Sequence, residues 1–129
     1  MESEPQSEIY PEQNLTQKIL EAAFAVHNSL GCGFLEKVYA NALACGLRSM
    51  SVACEQEVLF KIKYRNFVVG DYCADLIVEK RVIVELKACS ALDSIHESQL
   101  LNYLKASGIK VGLLLNFGKP KVQYKRLVR

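Results

Sequence analysis

The sequence predicts an α/β layer sandwich, a mixed central sheet flanked by helices in the order ααβββαββ. Three observations carry this. Two helix-periodic segments open the chain. Alternating strands fill its middle. A further helical stretch then leads into a continuous apolar run at 111–117, the pattern of a buried strand. At 129 residues, 50% of them hydrophobic, the chain suits one domain with a real core.

The elements follow in order. Residues 1–13, with Glu2, Glu4, Glu8 and Glu12, are expected to be a flexible acidic lead-in, and 14–129 the single domain. The lead-in has no basic or apolar region of the kind a secretion signal needs. A first helix is expected over 15–30, with Asn14 as its N-cap and Leu15, Ile19, Ala22, Ala23, Val26 and Leu30 as its apolar stripe. Gly31-Cys32-Gly33 breaks it. A second helix over 34–49 is expected to bury Leu35, Val38, Ala42 and Leu47. Strands are expected at 55–64, 67–78 and 82–88, with a turn at Arg65-Asn66. Ser94 and Glu97 have capping-box spacing before a third helix over 95–106, which Gly108 ends. Its Leu100, Leu101 and Leu104 should pack inward. Strands at 111–117 and 122–128 close the chain.

No apolar run is long enough to span a bilayer, and no membrane partner is expected. Cys32, Cys45, Cys54, Cys73 and Cys89 are an odd, scattered set without a C-x-x-C pair. They read as small, mostly buried residues of a reducing cytoplasm, and their spacing does not fit a zinc or iron–sulfur site. The net charge is only +2, but Lys119, Lys121, Lys125, Arg126 and Arg129 gather at the C-terminus without an acid. A strand so charged can meet a phosphate backbone, or can be an edge whose lysines block aggregation; both readings stand.

The most informative segment is 75–87. Leu76, Val78, Val82, Val84 and Leu86 alternate and assign one face to the core. The other face then holds Asp75, Ile77, Ile83, Glu85 and Lys87. A short turn at Glu79-Lys80-Arg81 pairs the strands and brings Asp75 close to Glu85. Paired carboxylates repel unless a cation lies between them, and Mg²⁺ takes oxygen ligands of this kind. A lysine beside such an ion can orient a water for attack on a phosphodiester. A cross-strand ion pair on an exposed face would look the same from sequence.

Two further constellations stand near it. On the third helix Gln99 and Tyr103 share a face, with His96, that can lean over the acidic patch; a polar solvent face is the alternative. His96 is read as solvent-facing and not as a ligand. In Gly33-x-x-Glu36-x-x-Tyr39, Gly33 suits an N-cap and Glu36 the positive end of the helix dipole. Alternatively Glu36 and Tyr39 reach the cleft and Glu36 adds a carboxylate.

Gly33-x-x-Glu36-x-x-Tyr39 resembles the signature of the GxxExxY proteins, a group in the PD-(D/E)XK nuclease superfamily. Asp75 followed by Glu85-Leu86-Lys87 is similar to that superfamily's core motif, and Gln99-x-x-x-Tyr103 to the helix motif of its RecB-type members. The likeness spans the chain from about residue 14 onward. It implies a restriction-endonuclease-like fold and a nuclease that uses Mg²⁺ or Mn²⁺ on nucleic acid, DNA before RNA. It further implies that Asp75, Glu85 and the Leu86 carbonyl ligate the metal, with Glu36 as a further acidic residue. Lys87 would position the attacking water; Gln99 and Tyr103 would support substrate or site geometry, and Gly33 and Tyr39 would be supporting positions. Ala74, where the motif carries proline, departs from the pattern at a position that is not a ligand. Two other readings remain beside the nuclease: a nucleic-acid-binding module that does not cut, and an interaction domain that dimerises through apolar strands or cysteines.

Overall fold

The protein is described here over residues 10–129 of a computed structural model. The elements are α1 (Gln13–Leu30), α2 (Glu36–Ser49), β1 (Cys54–Tyr64), β2 (Phe67–Val78), β3 (Val82–Lys87), α3 (Ser94–Ser107), β4 (Val111–Asn116) and β5 (Gln123–Val128). The sheet runs β1-β2-β3-β4-β5. Only β3 and β4 are parallel, joined through α3; the other pairs are antiparallel. This is the expected mixed sheet in the expected order.

Two cores lie on its two faces. On one, Leu76, Val78, Val82, Val84 and Leu86 pack against Ile19, Ala23, Leu43 and Leu47 of α1 and α2. On the other, Ile77, Ile83 and Leu114 pack against Leu100 and Leu104 of α3. The β2–β3 hairpin is thus buried on both sides at its closed end. Its turn places Glu79 and Lys80 at φ 54 and 59, and Arg81 N donates to Val78 O at 2.9 Å. Positive φ at both central residues matches the twist of the strands.

Several local expectations are corrected. Helix α1 starts at Gln13, so Asn14 lies inside it and is not the cap; Glu12 takes that place, without a side-chain cap bond. Of the expected lead-in, residues 1–9 lie outside the described residues. Tyr10 stands under the Arg126 guanidinium, and Glu12 pairs with Arg81 at 3.5 Å. Helix α2 starts at Glu36 and buries Tyr39, Ala40, Leu43, Ala44 and Leu47. Leu35 and Val38 are exposed, Leu35 to 76%. The helix presents its 39/43/47 row to the sheet, rotated from the row that its leading apolar residues mark. In α3 the cap is Asp93, which accepts from Ile95 N and His96 N, while His96 Nδ1 accepts from Asp93 N. Leu101 is exposed; Leu100 and Leu104 are buried in the core, and Tyr103 packs against it half-buried. The cysteines are not buried: Cys32, Cys45 and Cys73 are exposed, Cys54 and Cys89 half-buried, and all are free thiols.

Candidate active site

The site forms where β2 and β3 part. Their ladder runs Val78↔Val82, Ile77↔Ile83, Leu76↔Val84. The next pair in register would be Asp75 and Glu85, and there the pattern changes. Asp75 N donates to Glu85 Oε2 at 3.3 Å, and Leu86 N donates to Asp75 Oδ2 at 2.9 Å. Each strand's N–H, released from the ladder, is taken up by the other strand's carboxylate, because a buried amide must find an acceptor. Inside–outside alternation in β2 also breaks at this point. Tyr72 and Ala74 face α3, whereas Leu76 and Val78, of the same parity, face α1 and α2.

On the α3 side Tyr72 Oη donates to Glu85 Oε2. The Tyr72 ring stacks on Tyr103 with centroids 3.5 Å apart and planes at 8°, and on Phe60 at 5.9 Å. Tyr103 therefore reaches the site through Tyr72. Burial, then the charge of Glu85, pushes the Tyr72 hydroxyl pKa up, so it stays a donor. Burial pushes the Glu85 carboxyl up to about 7, with the charge of Asp75 adding to it. Asp75 is raised too, by burial first, against the opposing Leu86 N–H and the Lys87 charge. Each carboxylate has one oxygen held by protein donors. Among the described residues, the other oxygen of each has none.

Lys87 ends β3, and its charge favours ionisation of both Asp75 and Glu85. Its backbone is pinned: Phe117 N donates to Lys87 O at 2.8 Å. The chain beyond it is clasped by Asn116, fully buried, whose amide accepts from Cys89 N and Gly118 N and donates to Cys89 O and Gln123 Oε1. A Cβ on Gly118 would sit 2.3 Å from Cys89 O, so glycine is needed there. Glu36, at the start of α2, lines a cavity of about 230 Å³ with Lys37, Ala40, Gln56, Glu57 and Asp75. Gln99 is exposed on α3, one turn before Tyr103, its side chain without a protein hydrogen bond among the described residues.

Tyr39 does not reach this cleft. It is fully buried, stacks on Phe117 at 4.6 Å, donates to Gly31 O at 2.5 Å and accepts from Phe34 N at 3.3 Å. Gly33 is not the N-cap, a place held by Leu35; its φ of 110° is open to glycine and to few other residues. In this motif, then, Gly33 and Tyr39 fix the α1–α2 corner, and Glu36 alone projects into the cleft.

Tyr72 and Asn116 were missed from sequence. Asn116 had a signal, as the one polar side chain in the apolar run 111–117. Tyr72 had none, because the alternation that would place it changes phase at Asp75.

The donor set fits a hard divalent cation: two carboxylates drawn together in a partly buried fork, each with a free oxygen. Among the described residues no three His, Cys, Asp or Glu side chains form a metal cluster, so Glu36 does not close a ring with the pair. A larger cavity of about 530 Å³ lies by the hairpin turn, lined by Glu12, Lys18, Glu79 and Arg81, and holds none of these residues.

A mixed sheet of this order, with helices on both faces, has the restriction-endonuclease-like α/β fold. The profile of the PD-(D/E)XK nuclease superfamily matches residues 13–127, and the chain belongs to that superfamily. No curated protein matches the chain. Among solved structures, the crystal structure of SSO0001 is similar at 18% identity and a TM-score of 0.53, over 97% of this chain and 60% of that one. The chain thus spans less than two thirds of that protein, and the likeness is one of fold. No helix of the described residues is long and apolar enough to cross a membrane.

Proposed function

We propose that residues 14–129 form one metal-dependent nuclease domain that hydrolyses phosphodiester bonds in DNA. The observation that carries this reading is the fork itself, where Asp75 and Glu85 exchange backbone donors and each keeps one oxygen free. Asp75, Glu85 and the Leu86 carbonyl would hold Mg²⁺ or Mn²⁺, with Glu36 adding negative charge from across the cleft. A cation held there would supply charge neutralisation at the phosphate and a more acidic water. Lys87, fixed at the end of β3, orients that water and balances charge developing on the phosphate oxygens. Tyr72 holds one oxygen of Glu85 and leaves the other to the cleft; Tyr103 braces Tyr72 from behind. Gln99 offers an exposed amide to the phosphate backbone. The five free thiols favour work in the cytoplasm.

The test is cleavage of single-stranded, nicked and duplex DNA with Mg²⁺, Mn²⁺ or EDTA, beside Glu85→Ala and Lys87→Ala. The expected result is metal-dependent cleavage that falls by at least ~10³-fold in each variant, with the fold intact by circular dichroism. Full activity in either pure variant would refute the mechanism.

A further inference from the structure

Beyond the fork, β1 and β2 continue as a two-stranded ribbon without β3 beside them. Their ladder runs from Val58↔Ala74 out to Tyr64↔Phe67, with an irregularity after Ile62. One side rests on the α3 core through Val58, Phe60 and Ile62. The other side and the tip are open. Phe67 is 73% exposed and Val69 62%, with Tyr64, Val68 and Leu59 also exposed. The two-residue turn has Arg65 and Asn66 at φ 51 and 70, which keeps the tip tight. Lys61, Lys63 and Arg65 stand against a single acid, Asp71, in the whole ribbon. At ~3.3 Å per residue, Phe67 lies about 25 Å along the strand from Asp75.

We propose that this ribbon is an arm that grips duplex nucleic acid, its cations on phosphates and its apolar tip against base edges in a groove. The inference rests on the nuclease reading for the identity of the polymer at the fork. Three features favour that occupant. The root of the arm is Asp75 itself, so a strand lying at the fork continues along it. A two-stranded ribbon fits the major groove in width. The charge is complementary to a polyanion, whereas a second copy seated face to face would bring like cations together.

The experiment measures binding of a short labelled duplex by fluorescence anisotropy across a salt series, in EDTA, where the proposed metal-dependent cleavage cannot run. The triple variant Lys61→Ala, Lys63→Ala, Arg65→Ala should bind about tenfold more weakly, with a log–log salt slope smaller by about 2 to 3. Phe67→Ser should weaken binding and leave the slope alone. Melting curves of each variant check that the fold is intact. Wild-type affinity in both variants would overturn the arm while leaving the nuclease reading untouched, since the latter is decided by Glu85→Ala in Mg²⁺. A wild-type dimer that Phe67→Ser dissociates, with duplex affinity unchanged, would overturn it in favour of a contact between copies. Absence of any duplex binding by the wild type would overturn it as well.

Discussion

The two ends of the β2–β3 hairpin, only a few residues apart, are built on opposite principles. At the closed end Val78, Val82, Ile77 and Ile83 are buried, the ladder is complete and the side chains are apolar. At the open end Asp75 and Glu85 stand where the next ladder pair would be, and their carboxylates accept the N–H groups that the ladder gives up. The first arrangement stabilises the fold. The second holds two like charges out of water, at a cost that a bound cation would offset. Stability and chemistry are thus separated along one hairpin, and each can be perturbed alone.

The largest effect on stability is expected in the buried ladder, at its last pair before the fork. Leu76→Ala removes a fully buried side chain shared with the α1–α2 core. It should cost about 3 kcal/mol in denaturant unfolding. A loss well under 1 kcal/mol would mean that the hairpin is not the rigid base of the site.

The open end should respond to pH in a direction that can be worked out. Glu85 is raised from 4.5 to about 7, so between those values the folded state keeps a proton that the unfolded chain has lost. Metal-free stability is therefore fully present near pH 4.5 and falls as pH rises through 7, by roughly 3 kcal/mol for this group. Asp75, also raised, adds in the same sense. Unfolding free energies measured in EDTA from pH 4.5 to 8 check the slope, and Mg²⁺ at pH 8 should restore part of the loss. A flat profile would show the pair to be well solvated.

Tyr72→Phe should give a smaller effect. The hydroxyl favours the ionised form of Glu85, so without it the pH midpoint of that fall moves upward, by an interaction worth about 1 kcal/mol. Calorimetric Mg²⁺ binding at neutral pH should weaken correspondingly. An unchanged midpoint and affinity would reduce Tyr72 to packing against Tyr103.

Where one physical signal dominated, the sequence could be read. Strict alternation at 76–78 and 82–86 assigned the buried face of the hairpin, and with it the meeting of Asp75 and Glu85. It failed where two signals competed. Leu35 and Val38 are more apolar than Tyr39 and pull the expected core row of α2 away from the observed 39/43/47 row, of which Leu47 alone is common to both; of the two readings open for Tyr39, the structure has it at the α1–α2 corner and not in the cleft. The Ser94–Glu97 pair has capping-box spacing, but Asp93 and His96 make the box one residue earlier. Small size suggested buried cysteines, yet Cys32 is exposed in the α1–α2 loop, and Cys45 and Cys73 are exposed on α2 and β2. Tyr72 required knowledge of the phase change at Asp75, opposite which Glu57 of β1 stands at φ 54 and drops out of the ladder.

The strand order of the sheet is the order of the chain, so every strand neighbours its sequence neighbour. Three of the four strand connections are short, and only the β3–β4 crossover through α3 is long; the entropy lost at each closure grows with loop length. The acidic pair is assembled by the β2–β3 closure alone, independently of β4 and β5. The repulsion between Asp75 and Glu85 is therefore met early in folding, and medium that protonates or screens them should speed the refolding limb.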